Sequence, residues 1–263
     1  MTSPLPRTAR TSYTAPHTFR SWAAPYVSFN GPTGCWLLTI FSLTRFALAL
    51  QANLTKSYQP VAVVLVAMGL LPFLLLTRAG RQRIGLVWPT RWAGVVVGGL
   101  LGLLSCAVLF YLARYCFGLG EGNALVYISR TYAPLPSGLR APDRLTYCLV
   151  FSAASVVFSP IGEELFYRGL VHECFAPGLG QQKAALADSV AFALVHLAHF
   201  GVVYRSGGWR LLPGPALLWV ASLVGTCRLF SVARAQSGSV LGAIVAHAFF
   251  NLTMNYFIFY HIL

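Results

Sequence analysis

Long apolar stretches separated by short polar ones dominate the pattern of the chain. Runs of about 20 apolar residues are typical of helices that cross a bilayer. They predict seven spans, at about 34–52, 60–77, 93–113, 146–175, 184–203, 213–233 and 238–260. The predicted fold is therefore an all-α, polytopic transmembrane helical bundle of about seven helices.

The polar stretches divide the chain into three parts. Residues 1–33 are rich in Ser, Thr and Pro and contain three arginines and no acid, which predicts a flexible basic leader. Residues 34–144 supply N-terminal transmembrane helices and a long loop, and residues 145–263 supply the helical core in which the candidate chemistry lies. The Ala-Leu-Ala at 47–49 imitates a signal-peptidase site, but the leader is long for a signal peptide, so we interpret the first run as a retained helix.

The composition excludes several classes of protein. Hydrophobic residues make up 57% of the chain and charged residues 10%, and the mean hydropathy is +0.66. A soluble domain carries about 25% charged residues. The six cysteines show no metal-ligand spacing, and most fall in or beside apolar segments, where Cys behaves as a small hydrophobe. A disordered chain, a disulfide scaffold and an ordinary cytosolic enzyme are all excluded.

The net charge of +13 is interpreted as a signal of membrane topology and not of a nucleic-acid partner. The 17 Arg and 2 Lys are scattered between apolar segments instead of lying on one face. If the N-terminus is cytoplasmic, eleven of them lie inside and seven outside, with Arg45 within a span. Because positive residues concentrate in cytoplasmic loops, this count favours a cytoplasmic N-terminus. The compact, Arg-rich chain further suggests a bacterial inner membrane.

The acidic residues mark a candidate site because there are only six of them and three lie within eleven residues. A carboxylate near a bilayer costs free energy, so such a cluster indicates function. Glu164 and Arg168 lie four apart on one helix face, which predicts an ion pair. The adjacent Glu163 points about 100° away from Glu164 around the helix axis and has no obvious local partner. Carboxylates left unpaired in surroundings of low dielectric bind protons more strongly, which suits a general base.

Two later segments supply candidate partners for this carboxylate pair. One ends in His196, and in the other His247 and Asn251 lie four apart on one helix face. A helical hairpin about the turn at 177–180 places Glu163 and His196 at one depth, each about sixteen residues from its centre. A carboxylate and an imidazole can deprotonate a water, while a second imidazole and an amide can stabilise an oxyanion. These residues predict hydrolysis without a Ser or Cys nucleophile.

Three motifs lie in order on apolar helices: Glu163-Glu164-x-x-x-Arg168, Phe192-x-x-x-His196 and His247-x-x-x-Asn251. Over about 145–255 the chain resembles the CPBP family of intramembrane proteases, which is related to the type II CAAX prenyl endopeptidase. The resemblance implies that Glu163 and His196 activate water, and that His247 and Asn251 form the oxyanion hole. It also implies that Glu164 and Arg168 support them.

The same resemblance implies a partner and a side of the membrane. The expected substrate is a membrane-anchored protein or peptide that undergoes C-terminal processing, removal of a sorting tail or cleavage of a leader peptide. Family members present the site to the cytosolic side, which agrees with the charge count. The sequence specifies neither the individual substrate nor the oligomeric state.

Two alternatives stay open at this point. Glu163, His196 and His247 match a known catalytic zinc set, but no HExxH motif occurs, and Asn is a poor zinc ligand and a good oxyanion donor. We therefore expect no cofactor, with zinc as the alternative. The second alternative is a non-catalytic membrane protein, either an immunity or scaffold protein or a transporter with a proton relay. Transporters typically show repeats or paired broken helices, and neither is visible.

Overall fold

The computed structural model describes residues 17–131, 135 and 140–263. Over these residues the fold is helical except for one antiparallel β-hairpin, in which Val202 pairs with Leu211. The helices are α1 Gly31–Thr55, α2 Gln59–Leu75, α3 Arg78–Arg83, α4 Trp92–Phe117, α5 Ala124–Ser129, α6 Pro142–Leu179, α7 Gln181–Val195, α8 Pro213–Ser237 and α9 Val240–Ile262. The hairpin strands are β1 Val202–Arg205 and β2 Gly208–Leu211.

The predicted helical membrane bundle is confirmed. Within the described part of the chain, five helices are long and apolar enough to cross a membrane, namely α1, α4, α6, α8 and α9. Helix α2 is apolar but has only 17 residues. The protein is therefore an integral membrane protein whose helices follow the apolar runs of its sequence.

The span predicted at 184–203 is wrong in its second half. Helix α7 ends at Val195 and continues only as a short 3-10 turn, His196–Ala198. Gly201 then adopts a φ of +115°, a left-handed conformation that ends the helical path and leads into the β-hairpin. An apolar run does not by itself distinguish a full span from a helix that stops inside the bundle.

Part of the predicted flexible leader is packed against the bundle. Phe19 and Phe29 are buried with their ring centroids 4.7 Å apart, and the backbone of Phe19 pairs with that of Leu76. The apolar area that these rings bury fixes residues 17–30 in place. Residues 1–16 of the leader lie outside the described part of the chain.

Three glycines at intervals of four bring α4 into direct contact with α8 and α9. A Cβ on Gly94 would overlap the backbone of α8 at Gln236, and one on Gly98 would lie 2.9 Å from the carbonyl oxygen of Gly242. A Cβ on Gly102 would overlap the carbonyl oxygen of Ala246. Small residues of this spacing allow helix backbones to approach closely in membranes. Helix α4 therefore sets the position of α9.

Helix α6 is irregular around the two adjacent glutamates. Pro160 removes a backbone donor in the middle of the helix, and a π-helical segment, Leu165–Val171, follows the glutamates directly. Gly162 lies between Pro160 and this π-helical segment. A Cβ on Gly162 would overlap the carbonyl oxygen of Leu65, so the backbones of α2 and α6 are in direct contact. The glutamates are thus held at a tight helix crossing.

The bundle has two ends, which we name the proximal and the distal end. The proximal end contains the segments 17–30, 76–91 and 238–239, where the Thr90 nitrogen donates to the Ser237 carbonyl at 3.0 Å. The distal end contains the segments 56–58, 118–131 and 199–212, where the Tyr204 nitrogen donates to the Tyr127 hydroxyl at 3.1 Å.

Candidate active site

The carboxylate of Glu164 is fixed by the partner that the sequence predicts. Its Oε1 accepts a hydrogen bond from Arg168 Nη1 at 3.2 Å, and both side chains are buried. Arg168 Nε also lies 3.7 Å from Asp188 Oδ1 on α7. One guanidinium therefore balances two carboxylates, and this charge network joins α6 to α7.

Glu163, for which the sequence indicated no local partner, has one local and one distant partner in the structure. Its Oε1 lies 2.5 Å from Nη2 of Arg45, and its Oε2 accepts a hydrogen bond from the Ser159 hydroxyl at 2.5 Å. Arg45 lies on α1 and is only 3% exposed. Spacing along one helix indicates only local neighbours, whereas this partner comes from a helix far away in the sequence.

His196 directs an unprotonated nitrogen at the same carboxylate. Its Nδ1 is 2.7 Å from the Phe192 carbonyl oxygen. A carbonyl only accepts, so Nδ1 carries the proton and Nε2 is free in the neutral ring. Nε2 lies 3.1 Å from Arg45 Nη2 and 3.9 Å from Glu163 Oε1. The Phe192 ring stacks on the imidazole at 4.2 Å and fixes its plane.

His247 bridges the two glutamates from α9. Its Nδ1 lies 2.8 Å from Glu164 Oε1, and its Nε2 lies 3.6 Å from Glu163 Oε2. The ring of Phe230 on α8 stacks against it, with the ring centroids 5.2 Å apart. The imidazole therefore lies between two carboxylates, with one ring nitrogen directed at each.

Asn251 lies one helical turn beyond His247. Its Nδ2 donates to the Ser155 carbonyl at 2.9 Å, which binds α9 to α6. The amide nitrogen carries two hydrogens, so one remains for another acceptor. The four predicted site residues, Glu163, His196, His247 and Asn251, are therefore brought together, with Glu164 and Arg168 directly beside them.

An apolar cavity of about 390 Å³ meets this cluster. Arg45, His196, His247 and Asn251 line its inner part, and Glu163 lies fully buried behind them. A volume of this size matches the range of small-molecule and peptide sites.

The mouth of this cavity lies at one end of the bundle. Lys56, Tyr58 and Thr131 line its outer part, so the cavity opens at the distal end. The sequence analysis placed both the N-terminus and the open site on the cytosolic side. Residue 17 lies at the proximal end, opposite the cavity mouth, and the side of the membrane on which each lies stays a prediction.

Two residues of the site were not predicted. Arg45 carried a signal, since an arginine within an apolar run is expensive in a membrane and indicates function. Ser159 also carried one, because it lies four residues before Glu163 and hence on the same helix face. Neither lies in the three motifs, and only the packing of α1 against α6 shows that Arg45 reaches the carboxylate.

The zinc alternative does not fit the arrangement. Within the described ranges, no group of three or more His, Cys, Asp and Glu is arranged to hold a metal. Nη2 of Arg45 contacts both Glu163 Oε1 and His196 Nε2, the lone pairs that zinc would need. A cation, the Arg45 guanidinium, already balances these atoms, where zinc would add a second positive charge.

Comparison with known protein families gives a match over the C-terminal part of the chain. Residues 145–253 match the family model described as "Type II CAAX prenyl endopeptidase Rce1-like". This range contains all three motifs and ends two residues beyond Asn251.

The other two comparisons gave no match, either among curated proteins or among solved structures. The family match confirms the resemblance seen in the sequence and indicates a protease. Residues 145–253 of this chain are thus similar to the type II CAAX prenyl endopeptidase Rce1-like family, and they lie within a helical membrane bundle.

Proposed function

We propose that the protein is an intramembrane endopeptidase that hydrolyses a peptide bond near the membrane, using water activated by Glu163 and His196. One observation carries this proposal. Glu163 Oε1 and His196 Nε2 converge on one point at the inner end of the cavity, and Arg45 Nη2 marks that point by contacting both. A carboxylate and a neutral imidazole that face one point can hold and deprotonate a water there.

An incoming substrate would change the contacts of the Arg45 guanidinium. Its Nε and Nη1 are buried and have no hydrogen-bond partner among the residues described. Buried donors without acceptors cost free energy, so an incoming peptide carbonyl would supply what they lack. We infer that the guanidinium turns toward the substrate carbonyl and leaves its place between Glu163 and His196 to the water.

The remaining steps balance protons over the same residues. The water gives one proton to His196 Nε2 as its oxygen bonds to the carbonyl carbon, while Glu163 accepts a hydrogen bond from the remaining O–H. The Nε2–H of His247 and the second N–H of Asn251 then donate to the oxyanion. When the C–N bond breaks, the proton held by His196 passes to the leaving amine. One acid and one amine result, and no cofactor is consumed.

The cavity and the family match support a substrate class. A largely apolar cavity inside a membrane bundle suits an apolar polypeptide segment close to a membrane anchor. We propose a membrane-anchored protein or peptide as the substrate, cleaved by C-terminal processing, sorting-tail removal or leader-peptide cleavage.

Purified full-length protein in detergent, assayed on quenched peptides of these three kinds, tests the proposal. We expect Glu163→Gln to lower kcat by about 10²–10⁴, the usual contribution of a positioned acid or base. Glu173→Gln is the matched control, because Glu173 lies ten residues further along α6 and pairs with Arg234 at 3.1 Å outside the cavity. This variant should keep wild-type kcat.

Chelation separates the alternatives. Cleavage that survives a strong chelator supports the metal-free mechanism, whereas cleavage lost to chelator and restored by zinc would overturn it. A folded wild-type protein that cleaves none of the peptides would favour the non-catalytic reading.

A further inference from the structure

A second cavity of about 410 Å³, which we name the proximal cavity, enters the bundle from the proximal end and stops at Arg168. The loop 82–87, the start of α7 and the end of α8 supply most of its wall. Glu164, Arg168 and Asp188 form a fully buried layer between this cavity and the candidate active site, and the two cavities share no lining residue. The proximal cavity is therefore a separate site, and its wall indicates what it binds.

The wall of the proximal cavity carries an excess of positive charge. Among the residues described, those that line it include no Asp or Glu but four arginines, namely Arg83, Arg168, Arg228 and Arg234. Glu173 lies behind the wall and contacts both Arg83, at 3.4 Å, and Arg234, at 3.1 Å. Arg168 contacts two carboxylates of the buried layer. Four guanidiniums thus face three carboxylates, which leaves one positive charge unbalanced.

The unbalanced charge lies on Arg228, a half-buried residue of α8. Its Nη2 donates to Gln182 Oε1 at 2.9 Å, and its Nη1 donates to the Gln182 carbonyl oxygen at 3.2 Å. Both acceptors are neutral, so these contacts orient the guanidinium without balancing its charge. An anion in the proximal cavity would supply the missing negative charge.

Arg168 adds a free donor at the inner end of the proximal cavity. The side chain is fully buried, and its Nη2 has no hydrogen-bond partner in the part of the chain that the structure describes. The Cys227 thiol lies beside the guanidinium and is only a weak acceptor. A buried donor without an acceptor costs free energy, so an anion oxygen that accepts from Nη2 would be stabilised there.

The mouth of the proximal cavity lies at the level of the membrane boundary. Trp88 and Trp92 are exposed beside it, with their ring centroids 6.3 Å apart, and exposed Trp residues concentrate where a bilayer meets water. Val87 and Val232 line the cavity and are partly exposed, and Val232 belongs to the membrane-spanning helix α8. The mouth therefore has an apolar side next to its basic wall.

We propose that the proximal cavity binds the phosphate of an anionic phospholipid headgroup. Arg168 and Arg228 hold the phosphate oxygens, because planar guanidiniums match the geometry of phosphate. The acyl chains leave past Val87 and Val232 into the bilayer. Basic pockets between membrane helices are typical sites for such headgroups. This site is independent of the endopeptidase activity.

Native mass spectrometry of the delipidated full-length protein in detergent, titrated with phosphatidylglycerol, tests the site. Gln182→Glu places a carboxylate beside Arg228 and should raise the Kd of the tightest lipid about 10- to 100-fold, the usual value of a charge-assisted hydrogen bond. The variant should fold normally, because an acid in the first turn of α7 favours the helix. Arg78→Gln is the matched control, since it also lowers the net charge by one at the proximal end but lies outside the cavity.

We expect Arg78→Gln to bind phosphatidylglycerol like the wild type, and Arg228→Gln to bind it as weakly as Gln182→Glu. Equal Kd values for Gln182→Glu and Arg78→Gln would overturn the proposal, because the lipid would then respond to net charge and not to this cavity. Arg168 is left unchanged in every variant, since it also pairs with Glu164. The unfolding midpoint of each variant without lipid confirms that it is folded.

Two further titrations identify the source of the phosphate. We expect phosphatidylcholine to bind about 10-fold more weakly than phosphatidylglycerol, because its ammonium group cancels the charge that the wall recognises. We also expect inorganic phosphate at the same concentration to leave phosphatidylglycerol bound, because it makes no contact with the apolar side of the mouth. Displacement by inorganic phosphate would assign the cavity to free phosphate, and equal binding of the two lipids would show that charge is not recognised. Either result would overturn the proposal.

Discussion

The charged side chains of the site balance one another residue by residue. Glu163 faces Arg45 and Glu164 faces Arg168, each pair buried within the bundle. A single charge in such surroundings costs several kcal/mol, whereas a paired and hydrogen-bonded one is tolerated. The site can therefore keep two carboxylates at one level of a membrane protein because two guanidiniums lie beside them.

Replacement of Arg45 tests its proposed role. Arg45→Lys keeps the charge but offers one compact donor group in place of a planar fork, so it cannot contact Glu163, His196 and a substrate carbonyl together. We expect the thermal unfolding midpoint of Arg45→Lys to stay near that of the wild type, while kcat falls about 10²-fold, as for one lost oxyanion donor. Arg45→Ala should in addition lose about 3–5 kcal/mol of stability, because it leaves Glu163 buried and unpaired. Full activity of Arg45→Lys would show that the guanidinium has no part in the reaction.

Asn251 and Asn255 provide a matched pair on α9. Both are buried and bind α6, but only Asn251 lines the cavity. We expect Asn251→Ala to lower kcat by about 10²–10³ with little change in KM, because an oxyanion donor acts in the transition state. Asn255→Ala should lower stability and leave kcat unchanged. Equal losses of kcat in the two variants would indicate that Asn251 has only a structural role.

At the scale of helices, the N-terminal half of the chain is part of the site. Helix α1 carries Arg45, α2 crosses α6 at Gly162, and α4 supports α9, the helix of His247. The family match begins only at residue 145, so it includes none of α1, α2 and α4. These three helices position the site through packing contacts, and such contacts leave no motif in the sequence.

Gly102 tests how strictly α4 positions α9. In Gly102→Ala the new Cβ overlaps the Ala246 carbonyl oxygen, so α9 must move and His247, the next residue, moves with it. We expect a lower unfolding midpoint together with lower kcat, as for overpacking, which typically costs about 1–3 kcal/mol. Gly225→Ala is the control, because a Cβ there meets nothing within 4 Å and alanine favours a helix. Wild-type kcat in Gly102→Ala would show that the crossing tolerates displacement.

Local patterns predicted the helices and the three motifs, and packing determined the rest. Apolar runs fall on the observed helices because burial in lipid is a property of each segment by itself. The pairing of Arg45 with Glu163 depends on the contact between two distant helices, so helical spacing did not reveal it. The end of α7 at Val195 was missed because an apolar run suits a span and a buried half-span equally. The turn after β1 did carry a sequence signal, the Ser206-Gly207 pair. Two-residue hairpin turns require positive φ at both positions, and both residues adopt it.

At the scale of the whole molecule, we expect the orientation to depend on the positive charge at the two ends of the bundle. Changing the four arginines at 78, 81, 83 and 91 to glutamine leaves four of the described basic residues at the proximal end against seven at the distal end. We expect such a variant to insert in both orientations, because the bias that sets topology is gone. Partial labelling of Lys56→Cys, at the cavity mouth, by a membrane-impermeant maleimide in intact cells would report this mixture. Removal of the same number of distal arginines should leave the orientation intact, and a fixed orientation in the first variant would refute this account.

The buried layer of Glu164, Arg168 and Asp188 also bears on the membrane as a barrier. A hydrolase must bring water to mid-membrane, and a water-filled path through the whole bundle would let ions and protons leak down their gradients. Here the two cavities end on opposite sides of one ion-paired layer with no lining residue in common. The protein can thus hydrate its reaction chamber from one side only, and the electrical insulation of the membrane that contains it is preserved.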